Sequence, residues 1–155
     1  MFCTTVLVSC DNPFYQKEHV FAEDRWNYAD TVVFEFEIED TNRIYNVFLD
    51  VVHSKEYGYE NLYSKVYMRF PDQTTKYENI SLELADNLGN WYGECSGETC
   101  TRKFNFKPNA YFPMKGKYSI IMEQYNRVSV MPELKKFTMR IEQTDKVRGT
   151  KDVKK

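Results

Sequence analysis

Glycine and proline are scarce in this chain, six and five residues out of 155, and only two histidines are present. Scarce glycine and proline exclude collagen-like and low-complexity architectures. No apolar run reaches 18 residues, so nothing in the sequence reads as a helix that spans a membrane. A large excess of charge of one sign is missing too. The formal net charge is −2, which excludes the broad basic footprint that nucleic-acid binding needs. With His19 and His53 far apart in sequence, general acid–base catalysis has no assembled set of partners.

What the chain has in quantity is aromatic: 12 Tyr, 11 Phe and 2 Trp. Such side chains suit a pleated, half-buried surface. Period-two alternation confirms that bias. Phe34, Phe36 and Ile38 alternate with Glu35, Glu37 and Glu39. Tyr45, Val47, Leu49 and Val51 form a second row, ending at His53. Further rows are Leu62–Phe70, Ile80–Leu84, Phe104–Phe106, Tyr118–Met122 and Phe137–Ile141. Turn-forming residues separate them, as at Asp40-Thr41-Asn42, Pro71-Asp72 and Lys115-Gly116. No long amphipathic helix is present, and only Val128–Lys136 could give a helical turn. The pattern predicts an all-β fold, a single antiparallel β-sandwich (Ig-like or jelly-roll-like) of about seven to eight strands.

The first ten residues, Met-Phe-Cys-Thr-Thr-Val-Leu-Val-Ser-Cys, form a short apolar run ending in Leu7-Val8-Ser9-Cys10. This is the order of a bacterial lipobox: an aliphatic residue, a small residue before the cleavage point, and a cysteine whose thiol takes the lipid. The alternative is a first strand ending at a buried cysteine. Residues 1–9 then read as a signal-peptide remnant, 10–30 as a lipid-anchored tether running into an edge strand, and 31–143 as the sandwich. Residues 144–155, with five bases against two acids, read as a disordered basic tail. Apart from the covalent lipid on Cys10, no cofactor is expected.

With Cys3 in the signal and Cys10 lipidated, Cys95 and Cys100 remain as a pair. An exported protein can oxidise them, and a zinc site would need two more ligands. Gly93-Glu94-Cys95-Ser96-Gly97 has the spacing of a nucleophile elbow, but no helix pattern follows it. Alternating glutamates such as Glu35 and Glu37 read as a solvated strand face, not a glycosidase pair. Tyr57, Tyr59, Tyr63, Tyr67, Trp91 and Tyr92 read as exposed-side aromatics. Of these Trp91, Tyr92, Tyr63 and Tyr67 are the candidate surface for a protein partner or a glycan.

At Leu82–Gly93 the run Leu-Glu-Leu-Ala-Asp-Asn-Leu-Gly-Asn-Trp-Tyr-Gly resembles the signature loop of the GldH gliding-motility lipoprotein family of the Bacteroidota. Trp26, Tyr45-Asn46-Val47-Phe48, Asn61-Leu62-Tyr63, Phe70-Pro71-Asp72, Phe112-Pro113, Gly116-Lys117-Tyr118, Glu123-Gln124 and Ile141-Glu142 follow the same order. The resemblance runs from about Cys10 to Gln143. It implies a non-enzymatic lipoprotein held in the cell envelope, at the outer membrane, by Cys10, with other gliding or envelope proteins as partners. A glycan-binding module of the same architecture is the alternative. Where the family tends to carry Leu-Pro-Gly-Ile, this chain has Met131-Pro132-Glu133-Leu134. The Cys95–Cys100 pairing is not a family feature and rests on the cysteine count.

Overall fold

The computed structural model describes residues 13–149. It is built of strands and one 3₁₀ turn at Ala22–Asp24. In chain order the strands are β1 (Tyr15–Val20), β2 (Arg25–Asn27), β3 (Thr31–Ile38), β4 (Arg43–Ser54), β5 (Asn61–Arg69) and β6 (Thr75–Glu83). They continue with β7 (Glu94–Ser96), β8 (Thr99–Ala110), β9 (Gly116–Gln124), β10 (Val130–Pro132) and β11 (Leu134–Val147). Two antiparallel sheets form a sandwich. One has the order β1-β11-β4-β8-β7, the other β3-β9-β5-β6, and β10 with β2 makes a short ribbon.

The alternation seen in sequence decides which face is inside. Along β3 exposed and buried residues alternate without a break, sending Phe34, Phe36 and Ile38 inward and Glu35 and Glu37 outward. Across the sheet Phe34 lies opposite Ile120 and Phe36 opposite Tyr118. In the five-stranded sheet Leu49 faces Met139 and Val47 faces Ile141, all four buried. Each such side chain removed from water contributes roughly 1.5–3 kcal/mol, which is what holds the two sheets together.

Four expectations are corrected. Among the described residues there are eleven strands instead of seven or eight, because β2, β7 and β10, of three residues each, are too short to show periodicity of their own. Residues 15–27 are not only a tether and an edge strand. β1 is indeed an edge strand, paired along its length with β11, but Trp26 on β2 is wholly buried between Phe21 and Phe137. The Val128–Lys136 stretch is extended and contributes β10 and the start of β11. The last strand also runs past Gln143 to Val147, since a register shift lets Thr144 donate to the Ile44 carbonyl and brings Val147 opposite Arg43. The signal remnant at 1–9, the lipid cysteine Cys10 and the tail residues 150–155 lie outside the described residues.

The strands give the sandwich two ends. At one, Phe14 packs on Tyr45 and Tyr45 on Phe112. This end collects the turns at 39–42, 71–74 and 111–115, and the end of β11. The opposite end collects residues 55–60, 84–98 and 125–129 with β2, and it holds most of the aromatic surface.

Candidate functional site

The loop after β6 is folded by its own side chains. Asp86 accepts hydrogen bonds from the backbone N–H groups of Leu88 and Asn90, each at 2.9 Å, and from the Asn90 side chain at 2.9 Å. Its carboxyl is held below the ordinary carboxylate range, first by the Asn90 side chain and then by backbone N–H groups. Gly89 takes a positive φ of 85° to close the turn. At the tip Leu88 is 83% exposed, the largest exposure of any large apolar side chain in the described chain. A braced loop that holds a leucine out into water is an unusual use of an apolar residue.

The loop is fixed to the sandwich on both sides. Leu84 and Ala85 donate to the Glu60 carbonyl, and Tyr92 donates to that of Leu84. Gly93 presses against β8 so closely that a Cβ there would run into the Thr101 carbonyl, which accounts for the glycine. Trp91 turns inward and packs on the core instead of standing free. Its ring lies 4.5 Å from that of His53, which in turn is 5.6 Å from Tyr57. His53 is wholly buried, with Nδ1 2.8 Å from the Ser54 carbonyl and Nε2 without a hydrogen-bond partner. Burial lowers its pKa below the usual histidine value, partly opposed by the Ser54 contact. Tyr57 is buried as well, correcting its reading as an exposed aromatic. Burial, with a smaller effect from Tyr59, raises its pKa.

Beside this loop is a groove of about 870 Å³ lined by Tyr28, Tyr59, Tyr63 and Tyr125, with Arg127 among the polar residues. All four tyrosines are among the exposed large side chains. Asn126 fixes one wall. Its side chain accepts from the Tyr63 N–H and donates to the Tyr63 carbonyl, both at 3.0 Å, continuing the β5 ladder where β9 has ended. Asn61 donates to the Tyr63 hydroxyl at 3.2 Å.

The four aromatics singled out from sequence therefore separate. Tyr63 lines the groove. Trp91 is joined to it through Tyr57 and Tyr59, whose rings are 5.7 Å apart. Tyr92 faces the other way, with the Arg102 guanidinium 5.1 Å from its ring centre. Tyr67 lies on the outer face of the four-stranded sheet, hydrogen-bonded to Glu123 at 3.0 Å and paired with Tyr77 at 5.9 Å. Sequence reading passed over Leu88, Tyr28 and Tyr125. Their signal was position: large apolar side chains inside turns, where no strand partner could bury them.

Cys95 and Cys100 lie directly opposite each other on β7 and β8, joined by a disulfide, with Cys100 buried and Cys95 exposed. The pair closes the hairpin beside the loop, so the elbow-like spacing around Cys95 belongs to a β-hairpin. Among the described residues no group of three or more His, Cys, Asp or Glu could hold a metal ion. None of their helices is long and apolar enough to cross a membrane.

Comparison with known proteins places these features in a lineage. A family model described as GldH lipoprotein matches residues 13–141. The chain is 26% identical over 152 residues to a gliding motility lipoprotein GldH homolog of Christiangramia forsetii, covering 94% of this chain and 93% of that protein. It is 25% identical over 129 residues to the gliding motility lipoprotein GldH of Flavobacterium johnsoniae, covering 83% of this chain and 80% of that one. A solved structure of the infectious bursal disease virus VP2 subviral particle overlays 86% of this chain at 13% identity. The overlay covers 34% of the viral chain, with a TM-score of 0.40.

Proposed function

The chain belongs to the GldH lipoprotein family, and on that premise we propose that it serves gliding motility as a non-catalytic, lipid-anchored component of the cell envelope. In this reading Cys10 carries the lipid, placing the protein at the outer membrane, and the work is done by protein–protein contact. The observation that carries the reading is the aromatic end of the sandwich, which holds both the exposed Leu88 and the groove of Tyr28, Tyr59, Tyr63 and Tyr125. Tyrosine gives large contact area at low conformational cost and a hydroxyl for hydrogen bonding. It is enriched where proteins meet.

A glycan would use the same flat rings, but sugar recognition also needs polar groups that are not already engaged. Here both functions of the Asn126 side chain are taken by Tyr63, and Asn61 is bonded to the Tyr63 hydroxyl. Glu60, Arg127 and the hydroxyls of Tyr28, Tyr59 and Tyr125 line the same groove, so polysaccharide binding is tested beside protein capture.

The test is in-cell crosslinking of the tagged full-length protein, followed by capture and mass spectrometry. The wild type is compared with Leu88→Ser, Tyr125→Ser and Cys10→Ala. Recovery of gliding-machinery proteins, reduced in all three variants, supports the reading. Capture unchanged by Leu88→Ser and Tyr125→Ser together overturns the surface. Saturable polysaccharide binding lost in Tyr125→Ser replaces a protein partner with a glycan.

A further inference from the structure

We infer that the end of the sandwich opposite the aromatic groove is a lipid-facing surface, built by Phe14, Tyr111, Lys146 and Arg148 to sit on anionic headgroups. The inference rests on the lipid-anchor reading of Cys10 and goes beyond it by giving the domain an orientation. Three peptide steps separate Cys10 from Pro13, the first described residue, and they reach no more than about 11 Å. The chain then enters the fold at Phe14, whose ring packs on Tyr45 5.6 Å away. A lipid on Cys10 therefore brings this end of the molecule, and not the groove end, to the bilayer.

What the fold gathers there suits a headgroup layer. Tyr45 packs on Phe112, and the adjacent Tyr111 is 54% exposed. The Arg148 guanidinium lies 4.6 Å from the Tyr111 ring centre, and the Arg148 N–H donates to the Asn42 carbonyl at 2.7 Å. Tyr111, Lys146 and Arg148 line one shallow depression. Phe14 is also exposed, at 39%. Aromatic rings beside lysine and arginine are the side chains that settle at a membrane interface. A diacylglyceryl cysteine already anchors through more than one chain, so the basic and aromatic contact sets the orientation of the domain and not its retention.

The charge balance points the same way. The acids at this end are Glu37, Glu39, Asp40, Asp72 and Asp145, of which Glu37 lies opposite Lys117, Asp40 is paired with Arg43 at 3.7 Å and Asp72 is held by Thr74. Lys115 and Lys117 flank Gly116 at the start of β9, Lys146 and Arg148 lie at the end of β11, and Lys151, Lys154 and Lys155, with Asp152, follow in the sequence. At the far end, residues 55–60, 84–98 and 125–129 with β2 carry Glu56, Glu60, Asp86, Glu94 and Glu98 against Arg25, Lys55 and Arg127. An anionic surface repels the second end more than the first, and the first offers it the basic face of Lys146 and Arg148.

The experiment uses the lipidated full chain in phosphatidylcholine vesicles, with and without phosphatidylglycerol. An environment-sensitive fluorophore is attached at Tyr111→Cys or Leu88→Cys, with the disulfide kept oxidised, and quenching by lipid-borne nitroxide is read at each site. Expected are several-fold stronger quenching at 111 than at 88 in the anionic vesicles, and its loss on adding Lys146→Glu and Arg148→Glu while flotation with vesicles persists. Equal quenching at the two sites, or quenching at 111 indifferent to the charge reversal, overturns the orientation and leaves the anchor standing. A wild-type protein that fails to float with vesicles overturns both.

Discussion

His53 and Trp91 lie ring against ring, 4.5 Å between centres, joining the end of β4 to the loop that carries Leu88. The contact ties a buried titratable group to the loop that holds the most exposed large apolar side chain among the described residues.

The first prediction concerns that histidine and pH. Burial lowers the folded-state pKa of His53 below its ordinary value, and the same direction holds for the less buried His19. Above the ordinary value both states are neutral and histidine contributes nothing to pH dependence. As pH falls below about 6.5 the unfolded chain takes up protons that the folded chain resists, so stability drops, with a limiting slope of about 1.4 kcal/mol per pH unit for each group. Urea unfolding between pH 7.5 and 5.5 should show this decline, and His53→Phe should flatten it. An equal slope in the variant would remove His53 as the cause.

The second separates folding from contact. Trp91→Ala should cost about 2 kcal/mol, because the ring packs on His53 and the core. Leu88→Ser should change stability by less than about 0.5 kcal/mol, as an exposed site does. Thermal melts run before any capture experiment check this. A partner lost only in Trp91→Ala would report unfolding, whereas one lost in Leu88→Ser reports the surface.

Glu133 is held at a φ of 63°, in the left-handed region, between β10 and β11. The resembling family tends to place glycine at the corresponding point of its Leu-Pro-Gly-Ile stretch, and the backbone gives the reason. Glu133→Gly should stabilise by about 0.5–1 kcal/mol. It relieves a left-handed penalty of about 1–2 kcal/mol and gives back part of that through the greater freedom of glycine in the unfolded chain. A lower unfolding midpoint in the variant would contradict it.

Gly93→Ala tests the close approach of the loop to β8. The added methyl meets the Thr101 carbonyl, so β7 and the loop must shift, at a cost of about 1–3 kcal/mol. Gly58 has open space around its missing Cβ, and Gly58→Ala should stay within about 0.5 kcal/mol of the wild type. Denaturant midpoints of the two variants make the comparison.

Reduction of the Cys95–Cys100 bridge should lower stability by about 2 kcal/mol, the chain-entropy value for so short a ring. Cys95→Ser, at the exposed partner, should reproduce that loss in buffer without reductant. The same melting temperature with and without dithiothreitol would show that the ring contributes nothing.

Legibility followed burial. The long strands β3, β4, β5, β9 and β11 each repeat the inward–outward alternation several times, and that repetition exposed them in the sequence. β2 and β10 have three residues each, too few for a period, and they exist because Trp26 and Met131 are drawn into the same core. At the candidate surface the sequence identified aromatics but not their direction. Tyr57 and Trp91 look like Tyr59 and Tyr92 in a row of letters. Only the packing of His53 beneath them turns the first two inward.

The sequence by itself determined that this chain makes an all-β sandwich, because side-chain period and turn chemistry are local properties. It also carried the family resemblance, which lies in the order of its motifs. Which end bears the groove, which end follows Cys10, and which tyrosines reach water were decided by the tertiary structure. Those depend on contacts between residues far apart in the chain, such as Phe14 with Tyr45 and Asn126 with Tyr63, and no local pattern encodes them.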